Sequence, residues 1–230
     1  MIPKIIHYCW FGRNPKPDGV QKCIASWKKY LPDYEIKEWN EENFDIHINK
    51  YCEQAYNNRK WAFVSDVARV MALYHEGGIY FDTDVEVVQS FNPLLHHKAI
   101  LGFEGTQWIA TSTMGSEPKN TIIKQFIDNY NTRYFENEHG RIDQTTNVEV
   151  LTRLLIQEQG LILNGKEQQL KDFHIFPTEY FTPYDYISGR LKKTSNTYSI
   201  HWFDQSWIGQ KPWRVRISQW YHRLVGTKMK

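Results

Sequence analysis

Apolar and polar positions succeed one another along the chain in patterns that predict an alternation of strands and helices. Residues 3–10 (PKIIHYCW) read as a short buried strand, and FGRNPKPDG after them is dense in turn residues. The stretch 20–30 reads as a helix, with Pro17 and Asp18 as start signals and Pro32 beyond its end. Residues 34–39 alternate like a second strand, and Asn40-Glu41-Glu42 reads as a helix cap with its first turn. Strand, helix and strand at this spacing predict a parallel pair joined by a crossover helix.

A longer helix is predicted over 60–76, where Ala62, Val64, Val67, Val70, Met71 and Tyr74 form an apolar stripe and Gly77-Gly78 ends it. Residues 79–81 form a short apolar strand that runs straight into Asp82-Thr83-Asp84. Strands are expected at 99–103 and 109–114, helices at 120–134 and 147–157, and a late strand at 198–202 that leads into FDQSW. With no repeat and no linker, the expectation is one α/β domain over 1–210 and a C-terminal extension over 211–230.

Composition narrows the class. A chain of 230 residues, 41% hydrophobic and 23% charged, has the makeup of a soluble globular protein. Aromatic residues reach 15%, with nine Trp and fourteen Tyr, enough to fill the core and still offer stacking surfaces for ring-shaped ligands. A net charge of +2 gives no reason to expect nucleic acid as a partner. Residues 211–230 hold six Lys or Arg and no acid, so the first 210 residues carry −4. The three cysteines, Cys9, Cys23 and Cys52, form no C-x-x-C pair and fit a reduced, cytoplasmic setting. The opening residues lack the apolar run of a signal peptide, and no apolar stretch approaches the ~18 residues needed to span a membrane.

The candidate chemistry centres on Asp82 and Asp84, at a strand end, where open α/β sheets bind their ligands. Two carboxylates two residues apart can share a hard cation and leave coordination sites open for phosphate oxygens. On the helix before them, Asp66 and Arg69 stand at i and i+3 among apolar neighbours. Unpaired burial of either would cost several kcal/mol, so they either form an internal ion pair that fixes helix to sheet or face a polar cleft and bind hydroxyls.

The string from Trp61 to Val85, WAFVSDVARVMALYHEGGIYFDTDV, resembles the signature of the D-x-D glycosyltransferases of bacterial capsular polysaccharide and fungal initiating mannosyltransferase type. It is also similar to the catalytic domains of large glucosylating toxins. IPKIIHYCWFG resembles the family's first strand, and SIHWFDQSW its closing motif. The resemblance implies a GT-A-like nucleotide-sugar-binding fold, a mostly parallel sheet flanked by helices. It implies a metal-dependent, retaining transfer of a hexose, with a UDP-hexose as the expected donor and Mn²⁺ or Mg²⁺ as the cofactor. Asp84 would ligate the metal, Asp82 would reach the metal shell or the ribose, and Asp66 and Arg69 would bind the donor sugar. Trp10 is a candidate to stack on the base, or a core aromatic. His201 would complete the metal site, with Asp204 as its rival, and Ser206 and Trp207 could donate to the pyrophosphate. Asn147 reads first as a helix N-cap and second as a sugar contact. Acceptor recognition is expected around residues 108–114 and 143–147.

Two alternatives stay open. Haloacid-dehalogenase-like phosphohydrolases also carry D-x-D after an apolar strand, but use its first Asp as nucleophile near the chain start. A non-catalytic carbohydrate-binding domain would not need the metal carboxylates. In the tail, apolar residues at 213, 217, 220, 221, 224 and 225, with Arg and Lys around them, have the profile of a helix in a membrane interface. The stripe could equally pack on the domain or on another chain. Peripheral contact with the inner face of the cell membrane would suit a lipid-linked saccharide acceptor in capsular polysaccharide synthesis.

Overall fold

The computed structural model describes residues 1–203; Asp204, Ser206, Trp207 and the whole 211–230 tail lie outside them. The first half runs β1 (Ile5–Cys9), α1 (Asp18–Tyr30), β2 (Glu35–Trp39), α2 (Lys50–Asn57), α3 (Trp61–Glu76), β3 (Gly78–Phe81) and β4 (Val85–Val87). Next come β5 (Ala99–Glu104), β6 (Trp108–Ile109), β7 (Thr113–Ser116), α4 (Thr121–Asn131) and α5 (Asn147–Gln159). The chain continues through β8 (Gln168–Gln169), β9 (His174–Phe176), α6 (Thr178–Phe181), β10 (Tyr184–Asp185), β11 (Arg190–Leu191) and β12 (Ser199–His201).

The central sheet has the order β2-β1-β3-β7-β5-β9-β8, with β6 added to β5. Strands β2, β1, β3, β5 and β9 point one way, and β7 and β8 run against them, so the sheet is mostly parallel as expected. The predicted crossover is present: β1 and β2 pair in parallel, with α1 between them in sequence. A separate antiparallel pair, β4 with β12, brings the late strand beside the residues that follow Asp84.

Period-two alternation divides the core into two layers. Tyr80, Leu101 and Phe103 face one cluster with Val64, Val67 and Leu73 of α3 and residues of α4 and α5. Ile79, Phe81 and Ile100 face the other, with Cys23 and Trp27 of α1. Trp27 is fully buried, and its indole N–H donates to the Val85 carbonyl at 2.8 Å. Each such large apolar side chain contributes roughly 1.5–3 kcal/mol by leaving water. All three cysteines are buried and free.

The junction between α3 and β3 needs its two glycines. Gly77 caps the helix at φ +69°, and Gly78 enters the strand at φ +97°, where a Cβ would lie 2.6 Å from the Ile5 carbonyl oxygen. Helix and strand can therefore turn back on each other within two residues, which delivers Asp82 directly beneath α3.

Two expectations are corrected. Asn40-Glu41-Glu42 starts no helix: the Asn40 side chain accepts from Glu42 N in a turn, and α2 begins only at Lys50, capped by Asn49 on Cys52 N. The predicted strand at 109–114 is broken into β6 and β7. Between them the carbonyls of Thr111 and Ser112 serve Arg69 and the backbone N–H of Asp82, at 2.8 Å each, instead of a strand ladder.

Candidate active site

Arg69 is the hub of the site. It projects from α3 with its side chain 5% exposed, and lies 4.6 Å from the ring centroid of Tyr80 beneath it. Its Nη1 donates to Thr111 O at 2.8 Å, while Nη2 lies 2.9 Å from Asp66 Oδ1 and 3.2 Å from Asp82 Oδ1. The Tyr80 hydroxyl donates to the same Asp82 oxygen at 2.9 Å. A guanidinium offers five donors in a fixed plane, which suits it to hold a helix, a strand end and a loop together. The internal ion pair weighed from the sequence is thus present, extended by a second carboxylate.

Asp66 is held from a second side. Asn147 Nδ2 donates to Asp66 Oδ1 at 2.5 Å, and Thr111 Oγ1 donates to Asn147 Oδ1 at 3.0 Å. Asn147 is therefore not the cap of α5. Thr146 takes that place, in an extended backbone conformation with its hydroxyl accepting from Glu149 N, and this frees Asn147 to turn inward. Burial pushes the Asp66 carboxyl up to about 6, against the opposing pull of Arg69.

Beyond Arg69 the site opens. Asp82, Asp84 and His201 each offer one ligand atom, all within 4.8 Å of one another, and His201 Nε2 stands 3.3 Å from Asp84 Oδ1. Their positions follow from the backbone: Asp82 N donates to Ser112 O, and Trp202 N donates to Asp84 O at 3.0 Å, which ties the end of β12 to the D-x-D turn. Burial pulls the His201 pKa down, but the carboxylates of Asp84, Asp82 and Glu104 outweigh it and leave it raised. Two carboxylates and one imidazole fit Mn²⁺ or Mg²⁺, with His favouring the former.

Glu104 was not singled out in the sequence. It ends β5, and the nearby charges of His201 and Asp82 act on its carboxyl. Burial holds its pKa above the ordinary carboxylate value. Trp10 stands apart from the acidic cluster, half-buried after β1, with its indole N–H on Asn14 O and the Lys16 amine 5.9 Å from its ring. Since β1 and β3 are parallel neighbours, Trp10 and Asp82 follow the same edge of the sheet. Trp10 also borders a cleft with Arg13, Lys16, Glu38 and Glu41.

Comparison with known proteins bears directly on this arrangement. Residues 17–101 match the family described as a glycosyltransferase sugar-binding region containing a DXD motif. Over those residues the chain is similar to the sugar-binding region of the DXD glycosyltransferases. The matched span includes α3, the glycine junction and both aspartates of the motif. Inositol phosphoceramide mannosyltransferase 3 of Schizosaccharomyces pombe is 32% identical over 140 residues, which is 56% of this chain and 37% of that protein. Toxin Afp18 of Yersinia ruckeri is 44% identical over 89 residues, or 39% of this chain and 4% of the toxin. The chain thus spans well under half the length of these relatives. Among solved structures, the PaToxG glycosyltransferase superposes with a TM-score of 0.51 at 20% identity, covering 68% of this chain and 69% of that one. That likeness is one of fold.

Proposed function

We propose that this protein is a metal-dependent glycosyltransferase that moves a hexose from a nucleotide sugar to a saccharide or lipid-linked saccharide acceptor, with retention at the anomeric carbon. The observation that carries this reading is the convergence of Asp82, Asp84 and His201 on one point at the end of β3. These three residues would hold Mn²⁺ or Mg²⁺, which when bound neutralises the charge developing on the diphosphate leaving group.

The chain's own residues do the positioning. Arg69 and Tyr80 both engage Asp82 Oδ1, which would leave Oδ2 for the metal or the donor. Arg69 and Asn147 likewise both engage Asp66 Oδ1, which leaves Oδ2 to accept a hydrogen bond from a donor hydroxyl. Trp10 would offer a face to the base. Ser206 and Trp207 keep their proposed role at the pyrophosphate on the strength of the sequence resemblance.

A UDP-hexose is the proposed donor. The name of the fungal relative favours a second reading, a mannosyl donor, and the ceramide in that name supports a lipid-linked acceptor. Such an acceptor would suit a cytoplasmic protein that touches the membrane peripherally through residues 213–225, in surface polysaccharide synthesis. Among the described residues no helix is long and apolar enough to cross a membrane. The test is hydrolysis of UDP- and GDP-hexoses with and without Mn²⁺, with the anomer of the released sugar read by NMR. Metal-dependent release of the retained anomer from one donor is the expected result; no release from any of them would overturn the reading.

A further inference from the structure

We infer that the β5–β6 hairpin forms the acceptor subsite, with the Trp108 indole as a platform for a sugar ring and the Glu104 carboxylate as acceptor for one of its hydroxyls. This rests on the glycosyl-transfer reading above and names the surface that receives the second substrate.

Four observations carry it. Glu104 and Trp108 are directly opposed across the antiparallel ribbon, as are Phe103 and Ile109. Opposed residues share one face and have Cβ atoms roughly 4.5–5.5 Å apart. Phe103 and Ile109 are fully buried in the α3–α5 core, so Glu104 and Trp108 both point the other way. Trp108 is 45% exposed, unusual for the costliest apolar side chain to leave in water. Glu104, by contrast, is only partly exposed, feels the charges of His201 and Asp82, and receives no hydrogen bond from a side chain among the described residues.

The ribbon is also tied to its surroundings by hydrogen bonds from both sides. Thr152 of α5 accepts from Ile109 N at 3.0 Å, and Thr178 of α6 and Thr182 at its C-cap donate to the carbonyls of Gly105 and Phe103 at 2.6 and 2.8 Å. Phe181 fills the space over Gly102, where a Cβ would come within 2.6 Å of its ring. The Ser199 hydroxyl of β12 donates to Phe181 O at 3.4 Å. Through α6, the strand that carries His201 and the strand end that carries Glu104 are thus fixed relative to each other. A saccharide has what this pair lacks: an apolar C–H face for the indole and hydroxyl donors for the carboxylate. Preorganised partners of this kind bind with little ordering cost.

The test is saturation-transfer NMR on the full chain with Mn²⁺ and UDP, using methyl glucoside, galactoside and mannoside as probes. At least one glycoside should receive saturation, strongest on the C–H protons of one ring face. Trp108→Ala should bind it about ten-fold more weakly, and Trp108→Phe should retain most of the affinity. Glu104→Gln should weaken binding with its melting transition still cooperative. No saturation of any glycoside by the wild type, or equal binding by Trp108→Ala, would overturn the inference. Stabilisation of the wild type by nucleotide sugars, measured in parallel, separates the two claims. If it persists while the glycoside test fails, the subsite alone is wrong; if it too is absent, the donor reading has failed.

Discussion

Arg69 Nη2 lies 3.2 Å from Asp82 Oδ1, so the first carboxylate of the D-x-D motif is held by a guanidinium from the preceding helix. The same nitrogen pairs with Asp66, and the side chain is almost wholly buried. The motif is therefore not a free surface turn: its first residue belongs to a buried charge network, and its second turns toward His201.

Removing Arg69 should expose this dependence. Arg69→Ala leaves two carboxylates facing each other without a counter-charge, and is expected to cost about 3 kcal/mol, the low end for a broken buried pair because Asp82 retains access to solvent. Arg69→Lys keeps the charge but cannot reach Thr111 O, Asp66 and Asp82 together, and should recover only part of the loss. Urea denaturation measures both; an Arg69→Ala variant as stable as the wild type would contradict the network.

Asp66 sets up a contrast between stability and binding. Its folded-state pKa is raised to about 6 from an ordinary 3.8, because burial outweighs the pull of Arg69. The protonated carboxyl therefore contributes stability that is fully present below the ordinary value and is lost as pH rises through about 6. Asp66→Asn should match the wild type in melting temperature near pH 4 and exceed it increasingly toward about pH 7, while losing donor affinity. A variant less stable than the wild type at neutral pH would show that the Arg69 pair outweighs burial.

His201 should link metal binding to pH. Its pKa is raised by Asp84, Asp82 and Glu104 despite the opposing effect of burial. In the metal-free protein the imidazolium stabilises the fold fully below the ordinary value of 6.5, and that contribution fades as pH rises through the raised one. A metal needs the neutral ring, so Mn²⁺ must displace the proton, and its affinity should rise as pH increases through the raised value. Calorimetry should show this rise in the wild type and a weaker, flatter profile in His201→Ala. Identical profiles would remove His201 from the metal site.

What the sequence disclosed depended on how much each residue type constrains. The apolar stripe of α3, the two glycines and the short strand into Asp82 left few alternatives, and the D-x-D turn and its helix were legible as one unit. Asn40 was misread because an Asx turn and a helix N-cap use the same side-chain bond to a backbone N–H two residues on. Thr146 and Asn147 are both able to cap, and only tertiary contact with Asp66 and Thr111 decides between them. The break at Ala110–Ser112 could not be foreseen, since backbone carbonyls there serve Arg69 and Asp82, which lie far away along the chain. Glu104 gave no signal either: a lone acid at a strand end gains meaning only when β12 brings His201 beside it.

The central claim is that Asp82, Asp84 and His201 bind a metal together with a nucleotide sugar. Its most direct test is the melting temperature of the full chain with UDP- and GDP-hexoses, with and without Mn²⁺, in the wild type and in Asp84→Ala. The expected result is a rise that needs both the metal and one donor and disappears in Asp84→Ala. A rise that is independent of Mn²⁺ or persists in the variant, or no rise with any donor, would contradict it.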